Sequence, residues 1–126
     1  KSTLVFFLSP TCPICKTLLP VVKNLHTAER AWLNIVLASD GDSEKQRAFI
    51  RQQQLDDIPY VLSQELGMTW RVAKLPFSVL LNPQGVITSK GLINSREQFE
   101  SLFNAQESGV ESIQAYSRAS SLTANP

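Results

Sequence analysis

The sequence predicts an α/β fold in three layers, a central mixed β-sheet flanked by helices, and three features carry that expectation. Strand-like apolar runs alternate with helical periodicity in the order β-α-β-α, which implies parallel strands. Two later runs flank Asn82-Pro83-Gln84-Gly85, where Pro at the second turn position and Gly at the fourth suit a type I turn, so they read as a β-hairpin. Ser95-Arg96-Glu97-Gln98 then forms a capping box that opens a last helix.

The elements follow in chain order. Residues 3–8 are a nearly continuous apolar run rich in β-formers, the pattern of a strand buried on both faces. Ser9-Pro10-Thr11 breaks the run and offers a cap. From Cys12 to about Ala28, Ile14, Leu18, Leu19, Val22 and Leu25 recur at helical spacing, with a kink expected near Pro20. Residues 34–38 form the second strand. Ser43-Glu44-Lys45-Gln46 reads as a capping box opening a helix toward Gln53. Ile58-Pro59-Tyr60-Val61-Leu62 is a short apolar run, followed by a short helix around residues 65–68. The hairpin strands cover residues 77–81 and 86–88, and the last helix shows Phe99, Leu102 and Phe103 on one face. Beyond Asn104 the periodicity thins. Residues 1–104 are expected to be the domain proper, and 105–126 an extension partly docked through Val110, Ile113 and Tyr116 before it frays.

Composition excludes several classes. A chain of 126 residues suits one domain with a core that needs no disulfide staples. Twelve basic and eleven acidic residues give a net charge of +1 with no Lys/Arg cluster, so no nucleic-acid partner is expected. No apolar run approaches the roughly 18 to 20 residues of a membrane span. The chain opens directly on a buried strand, so further residues are expected upstream, any targeting or anchoring segment among them.

The chemistry concentrates at Cys12-Pro13-Ile14-Cys15, where a strand gives way to a helix. First-turn amides and the positive end of the helix dipole stabilise a thiolate, which makes Cys12 the candidate nucleophile. Cys15 lies one turn on, within reach of a mixed disulfide at Cys12, and is the candidate resolving thiol. Pro13 needs no amide hydrogen in a first turn and pre-sets helical φ. A structural bridge over so small a loop would constrain the unfolded chain little. A zinc site needs about four ligands, against two Cys and a single His here, so no metal is expected. His26, about three turns along the helix, reads as a surface or core-edge residue. Trp32 and Trp70 read as core or partial core, and Asp40-Gly41-Asp42 as a turn with a helix cap.

This order of motifs resembles the thioredoxin superfamily over residues 3–104. By that resemblance Pro20 matches the helix-kinking proline, Gly91 the glycine that ends the hairpin, and Leu75-Pro76 the cis-proline junction. The resemblance implies a thioredoxin fold, with Leu75 and Pro76 facing the site and contacting substrate as an added strand would. Thr11, Pro13 and Ile14 are the motif-supporting positions. The long segment before Pro76, with Ile58-Pro59-Tyr60, resembles the insert of the TlpA/ResA branch. More closely, Phe7-Leu8-Ser9-Pro10-Thr11-Cys12-Pro13-Ile14-Cys15-Lys16-Thr17-Leu18-Leu19-Pro20, Val36-Leu37-Ala38-Ser39-Asp40-Gly41-Asp42, Pro59-Tyr60-Val61-Leu62-Ser63, Glu65-Leu66-Gly67-Met68, Lys74-Leu75-Pro76 and Ser112-Ile113-Gln114 are similar to the MauD family of methylamine utilisation proteins.

The MauD resemblance implies an accessory factor that forms or rearranges disulfides in the methylamine dehydrogenase small subunit, a periplasmic, disulfide-rich client. It also implies a thiol redox partner, a periplasmic location, and a membrane anchor upstream of this chain. No cofactor is implied beyond the redox-active Cys12–Cys15 disulfide. Thioredoxin carries a buried Asp where this chain has Phe6, Trp where it has Thr11, and Gly-Pro where it has Pro13-Ile14. Those departures favour an oxidase or isomerase on a dedicated client over a general reductase. A TlpA/ResA-like reductase for cytochrome c maturation and a client-binding chaperone with idle cysteines stand as alternatives. The peroxidatic Pro-X-X-X-Thr-X-X-Cys arrangement is absent.

Overall fold

A computed structural model describes residues 1–108 of the chain. Its elements run β1 (Ser2–Phe7), α1 (Pro13–Ala28), β2 (Leu33–Ser39), α2 (Ser43–Gln53), β3 (Tyr60–Leu62), α3 (Gln64–Thr69), β4 (Phe77–Leu81), β5 (Ile87–Leu92) and α4 (Arg96–Ser108). The five strands form one sheet in the order β3-β2-β1-β4-β5. β1 and β3 run parallel to β2, while β4 is antiparallel to both β1 and β5, so the sheet is mixed, as the βαβα-ββα order requires.

β1 sits at the centre and buries both faces, which explains its unbroken apolar run. On one face Leu4 and Phe6 join Leu18, Leu19, Val22 and Leu25 of α1, Phe49 of α2, and Phe99 and Leu102 of α4. On the other, Val5 and Phe7 pack with Ala38 and Val79 and are covered by Leu66, Trp70 and Val72. Helices therefore lie on both faces, giving the three layers. Trp70 is partly buried and meets Phe7 edge-on at 5.9 Å, as partial core; Trp32 meets Phe103 at 5.0 Å but is 37% exposed, so it lies at the surface and not in the core.

Several boundaries differ from the sequence expectation, each for a local reason. The cap of α2 is Asp42, whose carboxylate accepts from the Glu44 amide at 2.9 Å, and Gly41 at φ +103° makes the turn that delivers it. Ser43 is thus the first helical residue and not the cap. Gln46, freed from a capping box, is buried; its amide donates to the Asp40 carbonyl at 2.8 Å and it accepts from the Tyr60 hydroxyl. At α4 the Gln98 side chain accepts from the amide of Asn94 and not of Ser95. β5 extends to Leu92, beyond the expected end, because Ser89 hides its hydroxyl on the Leu102 carbonyl at 2.9 Å and Gly91 pairs with Ser78 inside the sheet. α1 continues through Pro20, whose ring lies on its exposed side. The hairpin turn closes as expected, the Gly85 amide donating to the Asn82 carbonyl at 2.9 Å. α4 runs on to Ser108, and the tail positions Val110, Ile113 and Tyr116 lie outside the described residues.

The Tyr60–Gln46–Asp40 network ties the edge strand β3 to the turn after β2. Burial raises the Tyr60 phenol above its ordinary 10.0, with Ser39 opposing the rise. A Tyr60→Phe variant leaves the buried Gln46 oxygen without its donor and should lose about 1–3 kcal/mol in denaturant unfolding. The raised phenol binds its proton more tightly in the native state. Its stabilisation is therefore complete below pH 10 and declines as pH rises through the native value, so the gap between wild type and Tyr60→Phe should narrow in alkali.

Candidate active site

β1 ends at Phe7, and Leu8 prolongs its ladder by donating to the Ala38 carbonyl at 2.9 Å. The chain then turns tightly. Ser9 accepts from the Cys12 amide through its carbonyl at 3.1 Å and from the Thr11 amide through its hydroxyl at 3.3 Å. This turn places Cys12 as the N-cap of α1, with extended backbone and Pro13 at the first helical position. Cys12 Sγ accepts from the Cys15 amide at 3.2 Å, a sulfur doing what a Ser or Asp oxygen does at an ordinary cap. No acidic side chain occupies the first turn of α1. Negative charge on Cys12 would meet a donor and the positive end of a helix dipole, with no anion in that turn opposing it.

Cys12 and Cys15 are bridged, their Cα atoms 5.3 Å apart. The two sulfurs differ in access: Cys12 is partly exposed, whereas Cys15 is fully buried. An incoming thiolate can therefore approach Cys12, and Cys15 can be reached only from within the helix turn. Around Cys15 the core is apolar. Phe6 belongs to the same cluster, is 0% exposed, and stacks tilted on Phe99 at 5.8 Å. The fully buried Ser78 stands opposite Phe6 in register, with no partner for its hydroxyl among the described residues.

The peptide between Leu75 and Pro76 is cis. Phe7 pairs with Phe77, so the loop carrying Cys12 and the loop carrying Leu75 and Pro76 leave the same end of the sheet. Pro76 is buried and its carbonyl accepts from the Ile93 amide at 3.0 Å, which anchors the junction to β5. Leu75 is 38% exposed, and its amide and carbonyl have no backbone partner among the described residues. Thr11, Pro13 and Ile14 are exposed around Cys12, Ile14 at 48%. The site thus presents a sulfur, an apolar rim and an unpaired stretch of backbone. That combination can perform thiol-disulfide exchange on an extended peptide.

His26 lies in the last turn of α1, away from this end, its Nδ1 buried without a partner among the described residues. Sequence reading missed the wall contributed by α3. Met68 and the capping Ser63 of that helix, with Asp40 at the end of β2, line a cavity that also touches Leu75. No signal within the sequence marked this wall; in the structure Met68 shows it, a large apolar side chain left 70% exposed on a helix of only six residues.

Residues 1–87 match a family described as thioredoxin-like. The chain is 45% identical to the methylamine utilization protein MauD of Methylorubrum extorquens over 116 residues, 92% of this chain and 56% of that protein. It is 43% identical to MauD of Paracoccus denitrificans, over 92% of this chain and 57% of that one. The chain thus spans a little over half the length of these curated relatives. Among solved structures it is similar to a thioredoxin-like protein in the oxidised form, with TM-score 0.72, 19% identity, and 88% and 80% of the two chains covered. A secreted Mycobacterium tuberculosis disulfide oxidoreductase homologous to E. coli DsbE gives TM-score 0.68 at 16% identity, covering 86% and 81%. These structures share the fold, and the family match rests on the sequence: the chain belongs to the thioredoxin-like family.

Proposed function

We propose that the chain is the redox domain of a MauD-type maturation factor, a thiol-disulfide oxidoreductase that forms or isomerises disulfides in the methylamine dehydrogenase small subunit. The observation that carries the chemistry is the asymmetric pair, an accessible Cys12 capping α1 and a buried Cys15 one turn along. The client is inferred from similarity to MauD proteins over 92% of the chain.

In the oxidising direction a client thiolate attacks Cys12 Sγ, a client–Cys12 bond forms, and the Cys12–Cys15 bond breaks with Cys15 leaving as thiolate. A second client thiolate then attacks the client sulfur, closing the client disulfide and expelling Cys12. Two electrons pass to the domain, and a thiol redox partner must remove them. In isomerisation the reduced Cys12 attacks a client disulfide and is displaced by another client thiol, with no net electron flow. The couple is the disulfide itself, without a further cofactor. Leu75 and Pro76 hold the client backbone, with Thr11, Pro13 and Ile14 forming the rim. A disulfide-rich periplasmic client requires a periplasmic location, with a membrane anchor supplied upstream of this chain. No helix among the described residues is long and apolar enough to cross a membrane.

A double Cys12→Ser, Cys15→Ser variant should fail to support accumulation of correctly bridged small subunit in cells that make the dehydrogenase, read by non-reducing electrophoresis and dehydrogenase activity. Full maturation by that variant would replace this reading with that of a client-holding chaperone.

A further inference from the structure

A cavity of about 240 Å³ lies against the end of β1, from which the chain leads to Cys12, and against the loop before Pro76; it is lined among others by Phe7, Asp40, Ser63, Met68, Val72 and Leu75. Its walls are mostly apolar. Among the described residues Asp40 is the single charged one lining it, and no cationic side chain lines it. The backbone at Asp40 is held in place: Gln46, itself buried, donates to its carbonyl at 2.8 Å, and the next residue, Gly41, turns the chain away at φ +103°. Gly67 keeps the space open. A Cβ there would meet Phe7 Cε1 at 3.9 Å and Val72 Cβ at 4.0 Å, ordinary contacts, so a larger side chain at this lining position adds bulk to the cavity wall.

We propose that this cavity is a specificity subsite for a client side chain with an apolar stem and a cationic head, a lysine or arginine within two residues of the client cysteine. The inference rests on the reading of Cys12 as the exchanging thiol. A peptide laid along the unpaired backbone of Leu75 advances about 3.3 Å per residue, which brings a side chain near its cysteine to the cavity that Leu75 also lines. The methylenes of such a side chain would cover Met68, Val72 and Phe7, and its charged end would reach the Asp40 carboxylate and the Ser63 hydroxyl. A purely apolar side chain would leave the Asp40 carboxylate without an ion partner, and an acidic one would meet it as a like charge.

The test uses disulfide-linked dimers of a short one-cysteine peptide, with lysine, norleucine or glutamate walked through the two positions on either side of the cysteine. Second-order rate constants are measured for the reduced chain. At low salt the best lysyl peptide should react about fivefold faster than its norleucyl counterpart, with the glutamyl peptide slowest. The lysyl advantage should fall toward unity in 1 M salt. It should also disappear in Asp40→Asn and in Gly67→Leu, which adds bulk to the cavity wall. Equal lysyl and norleucyl rates in wild type, or an advantage that persists in Asp40→Asn, overturns the subsite. Reaction of the wild-type chain with hydroxyethyl disulfide, which carries no charge, reports the oxidoreductase reading separately. Failure of that reaction overturns both.

Discussion

A Cys15→Ser variant accumulates as a covalent adduct with its client through Cys12, released by dithiothreitol and absent when Cys12 is also replaced. The geometry fixes the direction of this result. Cys12 is the accessible sulfur and keeps its cap position when Cys15 is changed, since the donor it receives is the backbone amide of residue 15 and not the thiol. Serine can supply that amide and cannot supply the attacking sulfur. Resolution by a thiol one helical turn away is intramolecular, and effective molarities for well-placed groups reach about 10⁵ M or more. Replacing it with millimolar external thiol should lengthen the life of the mixed disulfide by on the order of a thousandfold or more. The measurement is a mass shift on non-reducing gels from cells making the client, with the adduct identified after reduction. The reciprocal Cys12→Ser variant should trap nothing, because Cys15 is fully buried. Equal trapping through either cysteine would mean that the difference in burial does not set their roles.

Which features could be read from the sequence follows from how local they are. β1 was legible because a strand buried on both faces has to be apolar throughout, and the redox pair because strand end, turn, cap and helix start all fall within residues 7–15. Errors arose where one side chain served another element. Gln46 has the spacing of a capping-box partner, yet Tyr60 and the Asp40 carbonyl claim it, and Asp42 takes over the cap. β5 reads as short because Ser89, Lys90 and Gly91 break its alternation, and only the packing of α4 shows why a buried serine is tolerated there. The cavity was invisible for a stronger reason. Its walls come from the ends of β1 and β2, from α3 and from the loop before Pro76, so no window of sequence contains it. Pro76 itself was legible only by resemblance, since an X-Pro bond in a loop carries no sequence mark of its cis state.

Phe6 carries the second large expected effect, because the position that would hold a carboxylate in thioredoxin is here a fully buried ring packed on Phe99 within the cluster that contains Cys15. Phe6→Ala should lose about 3–5 kcal/mol, the transfer and cavity cost of a buried phenyl group. Phe6→Asp should lose at least as much, and the difference between the two variants isolates the charge. An Asp in this apolar cluster has its native pKa pushed above the unfolded value of about 3.9, so the native state binds the proton more tightly. Below about pH 4 the carboxyl is neutral in both states, and Phe6→Asp should lie close to Phe6→Ala. As pH rises past that point the unfolded state ionises first, and the Asp variant should lose about 1.4 kcal/mol more per pH unit until the native carboxyl also ionises. Urea unfolding of both variants across pH 3–7 measures this, with Phe6→Ala as the baseline. A pH-independent difference would mean that the introduced carboxylate finds water or a partner, and that the surroundings of Cys15 are wetter than the packing of Phe6, Leu18 and Phe99 indicates. A dry site has a consequence for exchange as well. Among the described residues the cluster that contains Cys15 holds no carboxylate, so no carboxylate there takes part in the proton transfer when Cys15 leaves as a thiolate.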